Sequence, residues 1–311
     1  MAAEGEFKLC TFAADGGGRA GIVVGDQVLE AQKAYDAYRG AKGGPALNLG
    51  AVVAILDAWE QAFPALKNAA AHFAGRKPDF ARPLAGARLQ APIQYPRKIF
   101  CAAANYLDHM KEMGSSPPDK AKTEPYFFLK IPTTCVIGPG EAIRIPQGVK
   151  NLDWEAEMAV VIGRRAKDVP RERAFDYVAG YTIMNDVSAR DKNVRGDWVF
   201  KYDWLYGKCH DTFAPMGPYL VPHAFVSNCD KLDIKLTLNG QVMQDSSTDQ
   251  LIFKTDEMIA WLSALCTLEP GDVISTGTPA GVGRPRGIFL KPGDRIVIEL
   301  SEVGTLENPV A

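Results

Sequence analysis

Three acidic residues at alternate positions, Asp153, Glu155 and Glu157, run into an unbroken apolar stretch, Met158-Ala159-Val160-Val161-Ile162. On a strand, side chains two residues apart share a face, with their Cα atoms about 6.6 Å apart. The spacing predicts that Glu155 and Glu157 lean together, with Trp154, Ala156 and Met158 on the opposite face. Without a cation, two such carboxylates repel and lose hydration, so one of them has to keep its proton. A second apolar stretch, Tyr181-Thr182-Ile183-Met184-Asn185, leads to a third carboxylate, Asp186. Three carboxylates around a hard cation make an oxygen-ligand site of the Mg²⁺ or Mn²⁺ type. The pattern fits an exposed polar strand face equally well, because half-solvated antiparallel strands also alternate.

A candidate base lies upstream. His109 and Glu112 are three residues apart, hence neighbours on a helical turn, and a carboxylate beside a histidine orients the ring and raises its basicity. Spacing alone favours a surface His–Glu pair of little energetic consequence. Lys130 ends the apolar run Tyr126-Phe127-Phe128-Leu129. A lysine so placed either snorkels to solvent or faces an anionic ligand. Lys208, His210 and Asp211 fall together in Val199–Pro215. The loop Thr276-Gly277-Thr278-Pro279-Ala280-Gly281-Val282-Gly283 would let backbone N–H groups approach an anion, or is simply a turn.

These residues need a scaffold, and 311 of them with 47% hydrophobic and 23% charged side chains make an ordinary globular chain. A net charge of −2 at pH 7 gives no field favouring nucleic acid or an anionic membrane. The six cysteines show no CxxC spacing, which argues against a zinc site or disulfide framework and for a reducing compartment. No N-terminal apolar core of a signal peptide and no membrane-length apolar run is present. A cytoplasmic protein is the expectation.

Residues 7–31 read as short strands with a hairpin at Gly25-Asp26. Asn48 to Phe73 reads as helix through its stripe of Val52, Val53, Ile55, Leu56, Trp59 and Phe63, interrupted at Pro64. Residues 1–91 are expected to form a small N-terminal α/β domain with a structural or dimer-forming role, and 97–311 a catalytic domain. Gly114 to Pro125 is a mobile lid or a solvated loop. Later come a hairpin through Asn239-Gly240, a helix over Met258–Leu265, and Pro-Gly turns at Pro270-Gly271 and Pro292-Gly293. Many short strands with few helices predict a β-rich α+β fold, a roll or barrel, and no strand–GxGxxG–helix unit argues for a dinucleotide fold.

Taken in order, Asn105-Tyr106-Leu107-Asp108-His109, Phe128-Leu129-Lys130, Asp153-Trp154-Glu155-Ala156-Glu157, Asn185-Asp186-Val187-Ser188-Ala189-Arg190-Asp191, Gly207-Lys208, Leu268-Glu269-Pro270-Gly271-Asp272 and Thr276-Gly277-Thr278-Pro279 resemble the fumarylacetoacetate hydrolase family over Lys98 to Pro309. The resemblance implies a mixed β-roll, a homodimer, and Mg²⁺ or Mn²⁺ held by Glu155, Glu157 and Asp186. It implies catalytic roles for His109, Glu112 and Lys208, and substrate or metal-shell contacts for Lys130, Arg190, Asn193 and Thr278. Asn193 departs from the pattern, since members close to the founding hydrolase carry glutamine there. The implied reaction is metal-dependent hydrolysis of the C–C bond of a 2,4-diketoacid, of acylpyruvate or fumarylpyruvate type, releasing pyruvate and a carboxylic acid. Its rivals are an oxaloacetate decarboxylase or tautomerase, or an isomerase of aromatic degradation, acting on a small anionic 2-oxoacid at the same site. A non-catalytic small-acid-binding protein is the rival from another class. The aromatic segment Asp197–Tyr206, with Trp198, Tyr202, Trp204 and Tyr206, is a local elaboration that the resemblance leaves between ligand contact and packing.

Overall fold

The computed structural model describes residues 4–311. It begins with an antiparallel meander, β1 (Lys8–Ala14), β2 (Gly17–Val24) and β3 (Gln27–Glu30), whose second turn is the expected Gly25-Asp26 hairpin. Helices α1 (Ala31–Lys42), α2 (Val52–Asp57) and α3 (Trp59–Phe73) follow. The helical stretch predicted over 48–73 with an interruption at Pro64 is two helices, but the break falls at Ala58 (φ −110°, ψ 24°), and Pro64 sits inside α3 without ending it. Burial of Ala62, Ala65, Leu66, Ala69 and Phe73 along α3 offsets the backbone hydrogen bond that the proline forfeits. Helix α1 buries only Ala31, Ala34 and Tyr35, too narrow a stripe to announce itself in the sequence.

Two short strands, β4 (Ala81–Pro83) and β5 (Leu89–Gln90), close the N-terminal part. The chemistry-bearing elements come next: β6 (Ile99–Ala102), α4 (Leu107–Glu112), β7 (Phe127–Lys130), β8 (Val136–Ile137), β9 (Leu152–Asp153), β10 (Ala156–Ile162), β11 (Val178–Asn185), β12 (Ser188–Ala189), α5 (Trp204–Lys208) and β13 (Ala214–Pro222). The chain finishes with β14 (Asp233–Leu238), β15 (Gln241–Ser247), α6 (Thr255–Leu265), β16 (Val273–Ser275), β17 (Arg295–Leu300) and β18 (Gly304–Pro309). Asn239-Gly240 turns β14 into β15, and Gly271 (φ +85°) and Gly293 (φ +90°) take the left-handed conformation that a type II turn requires.

A large sheet runs β4-β3-β2-β1-β13-β11-β10-β16-β6-β7, with β5 paired on β1 and β8 on β13; a second sheet runs β15-β14-β17-β18. Most pairings are antiparallel, while β16–β6 and β13–β8 are parallel, so the fold is the mixed, sheet-rich α+β roll expected from the sequence. Strand β10 is covered on both sides. Met158, Val160 and Ile162 join a core with Ile234, Leu236, Ile296 and Ile298 of the second sheet, whereas Ala159 and Val161 join Ile55, Leu56 and Leu66 of α2 and α3. That double cover is why the sequence after Glu157 is continuously apolar and does not alternate. The N-terminal strands enter the large sheet where Leu9 of β1 lies opposite Leu220 of β13. The six cysteines form no disulfide. Among the described residues, no helix is long and apolar enough to cross a membrane.

Candidate metal centre

The three carboxylates meet because of strand register. Antiparallel pairing sets Ala156 of β10 opposite Asn185 of β11, so Asp186, one residue further, falls beside Glu155. Two bonds lock the corner: the Asp186 N–H donates to the Glu155 carbonyl at 2.9 Å, and the Glu155 N–H donates to Asn185 Oδ1 at 3.0 Å. The alternation predicted one strand from Asp153 onward, but the chain breaks at Trp154-Glu155. Strand β9 pairs with β12, and β10 begins afresh against β11. Asp153 and Glu155, on either side of the break, share one guanidinium, that of Arg190. Glu155, Glu157 and Asp186 are all buried, each offering an oxygen within 4.8 Å of the others. An exposed polar strand face is thus excluded. Three convergent carboxylate oxygens could hold a metal ion, and their hardness suits Mg²⁺ or Mn²⁺.

Cations of the chain surround this cluster. Lys208 Nζ bridges Glu155 Oε2 (2.8 Å) and Asp186 Oδ2 (2.7 Å) from the end of α5. Lys130 Nζ pairs with Asp186 Oδ1 and donates to the Val187 carbonyl at 2.9 Å, so it does not snorkel; it is buried behind the cluster. Arg190 contacts Asp153 Oδ2 at 2.8 Å and Glu155 Oε1 at 2.6 Å. Burial alone would raise the Glu155 carboxyl, yet Lys208 and Arg190 hold it well below the usual range. Glu157 goes the other way. Burial, then Asp186 and Glu155, push it well above the ordinary carboxylate value, although Ser275 Oγ and the Gly277 N–H donate to it. Burial would depress the Lys208 ammonium, but Asp186 and Glu155 carry it above its usual value.

The glycine-rich loop does bind anions, and they are the chain's own side chains. Gly277 N–H donates to Glu157 at 2.9 Å, Gly281 N–H to Glu112 at 3.0 Å, and Gly283 and Arg284 N–H to Asp153 at 2.7 and 3.1 Å. Through Gly281 the loop pins helix α4, where His109 Nδ1 lies 3.4 Å from Glu112 Oε2. With side-chain exposures of 12% and 16%, this is not a loose surface pair. Burial opposes ionisation of Glu112, but the His109 and Gly281 contacts hold its carboxyl below the usual range.

A cavity of about 480 Å³ opens over the cluster; Glu155, Glu157, Arg190, Asn193, Lys208, Thr278 and His109 line its polar side. Met110, Met113, Tyr126, Phe128, Tyr202 and Trp204 supply an apolar wall, on which Trp204 stacks against Phe128 (4.9 Å between ring centroids). Part of the 197–206 segment thus faces the cavity, whereas Trp198, Val199 and Phe200 stand exposed at 63%, 79% and 72%. Thr278 Oγ1 donates to the Ala156 carbonyl and accepts from Gln244, so its hydroxyl braces β10. Asn193 Oδ1 is buried beside Gly207, where a Cβ would fall 1.1 Å away, and it has no hydrogen-bond partner among the described residues. Asp153 as a brace and Gln244 as a tie between β10 and Thr278 were not legible. Both act through partners more than 30 residues away in sequence.

Residues 98–311 match the C-terminal domain of the fumarylacetoacetate (FAA) hydrolase family, and the chain belongs to that enzyme family. Among its relatives is a mitochondrial oxaloacetate tautomerase of Xenopus laevis, 45% identical over 227 residues, covering 71% of this chain and 68% of the relative. Among solved structures, a 5-carboxymethyl-2-hydroxymuconate delta-isomerase of Mycobacterium smegmatis is 33% identical, covers 98% of both chains and superposes with a TM-score of 0.71. A maleylpyruvate hydrolase of Sphingobium sp. SYK-6 is 32% identical over 98% of this chain and 99% of its own, with a TM-score of 0.74.

Proposed function

We propose that the chain catalyses keto–enol interconversion of a small anionic 2-oxoacid, oxaloacetate being the type, at a divalent ion held by Glu155, Glu157 and Asp186. The observation that carries this reading is the meeting of three buried carboxylates with the His109–Glu112 pair around one cavity. The oxaloacetate tautomerase among the relatives favours proton transfer over the hydrolysis that the family resemblance put first. A bound Mg²⁺ or Mn²⁺ would supply Lewis-acid polarisation of the substrate's 2-oxo group. His109, its Nδ1 turned to Glu112, leaves Nε2 to take the proton from C3 of the keto form and to return it. Lys208 places a positive charge beside the oxygen on which negative charge develops.

Hydrolytic C–C cleavage is the second reading. The same His109–Glu112 pair suits deprotonation of a water, and the likeness to a maleylpyruvate hydrolase supports it. One preparation separates the two. Decay of the oxaloacetate enol is followed by ultraviolet absorbance, and pyruvate release is measured from an acylpyruvate, each with Mg²⁺ and with EDTA. Enol decay accelerated only when metal is present is expected. Pyruvate release without enol decay favours hydrolysis, and insensitivity of both to EDTA refutes the metal site.

A further inference from the structure

Among the described residues, the charged side chains in and beneath the cavity floor pair with one another, except one at the rim. Asp153, Glu155, Glu157 and Asp186 face Lys130, Lys208 and Arg190, and each of those cations is already engaged by at least one of the four carboxylates. With a divalent ion bound and all four carboxylates ionised, four negative charges against three cations and the ion's two would sum to one positive charge. A single 2-oxoacid carboxylate then neutralises the floor. A second carboxylate on the same substrate would be paired best by a cation that the floor has not already engaged.

Arg284 is placed to supply it. Its backbone N–H is tied to Asp153, which fixes the residue at the end of the glycine-rich loop, and it lines the same cavity as Lys208 and His109. Its guanidinium makes no ion pair or hydrogen bond among the described residues, unlike neighbouring Arg286, whose Nη2 donates to the Met243 carbonyl. The cavity, at about 480 Å³, is also larger than a three-carbon 2-oxoacid needs, so a substrate extending from the floor has room to reach the rim.

We propose that Arg284 is a specificity-determining residue that receives the distal carboxylate of a dicarboxylic 2-oxoacid. This rests on the metal–2-oxoacid reading above and adds to it the class of tail that the site selects. A planar guanidinium receives a carboxylate in a two-point fork, so charge and shape both favour a carboxylate end over a methyl end.

The test uses the full-length protein loaded with Mn²⁺ and binding in place of turnover. Calorimetric affinities are compared for 2-oxoglutarate against 2-oxopentanoate, and for 2-oxoadipate against 2-oxohexanoate; within each pair only the terminal carboxylate is replaced by methyl. The wild type is expected to prefer the dicarboxylate in at least one pair by about tenfold, the scale of one charge-assisted contact at a half-open rim. Arg284→Gln is expected to erase that preference while leaving the affinity for the methyl-ended acid and for Mn²⁺ alone unchanged. Arg284→Lys, which keeps the charge and loses the fork, is expected to fall between. Equal affinities within both pairs for the wild type overturn the proposal. So does a preference that survives in Arg284→Gln, or a loss shared by both members of a pair. Failure of every 2-oxoacid to bind the Mn²⁺-loaded wild type overturns the reading on which the proposal stands.

Discussion

Asp153→Ala is the substitution whose cost the geometry defines most sharply. Both carboxylate oxygens of Asp153 are buried and accept from Trp154 N–H (2.9 Å), Gly283 N–H (2.7 Å), Arg284 N–H (3.1 Å) and Arg190 Nε (2.8 Å). Alanine leaves the guanidinium with only Glu155 and strips acceptors from the amides of the glycine-rich loop. Removing one partner of a buried ion pair costs about 3–5 kcal/mol. Arg190 keeps its 2.6 Å contact with Glu155, and that places the loss near the lower end of the range. A single buried amide left without its acceptor adds about 1–3 kcal/mol, so a loss of at least about 4–6 kcal/mol is expected. Asp153→Asn keeps one acceptor oxygen and the shape while losing the charge, and about 1.5–3 kcal/mol is expected. Urea unfolding followed by tryptophan fluorescence reads both, and buried Trp154 next door reports directly on the local change. Because Asp153 is a brace and not one of the three clustered carboxylates, Asp153→Asn is expected to retain Mn²⁺ binding. An Asp153→Ala protein within about 1 kcal/mol of the wild type refutes this account of the loop and of Arg190.

Glu157→Gln and Asp186→Asn should each weaken Mn²⁺ binding, measured by electron paramagnetic resonance, by at least the roughly 10–100-fold seen for disturbed metal surroundings; unchanged binding in both variants refutes the ligand set. Glu157 is raised by burial and by Asp186 and Glu155, so in the metal-free protein its contribution to stability is full below the ordinary carboxylate pKa and is lost as pH rises through the elevated one. Metal binding displaces that proton, so the rise in Tm on adding Mg²⁺ should grow as pH climbs above the ordinary carboxylate range; a flat or falling gain contradicts it. His109→Ala should lower kcat by about 10²–10⁴-fold with Mn²⁺ affinity intact. Glu112→Ala should lower kcat less and also raise KM, because α4 loses its tie to Gly281 at 3.0 Å; wild-type kinetics in Glu112→Ala would separate the pair from the reaction.

Local chemistry was legible wherever it depended on residues close in sequence. Alternation at Glu155 and Glu157, the i, i+3 spacing of His109 and Glu112, and the Pro-Gly and Asn-Gly turns are all short-range patterns. The ordered motifs from Asn105 to Thr278 sufficed to identify the family, and with it the sheet-rich fold. Helix α1 and the break at Ala58 escaped, because a narrow buried stripe and a single non-helical residue leave almost no periodic signal. What only the tertiary structure decided is where each charge finds its counter-charge. Whether Lys130 meets solvent or Asp186, whether the glycine-rich loop serves a ligand or Glu112, Glu157 and Asp153, and whether Arg284 is left without a partner among the described residues depend on segments 56 to 169 residues apart in the chain. Electrostatic pairing is set by distance and burial in space, and both arise only when β10, β11 and the loop after β16 have packed together.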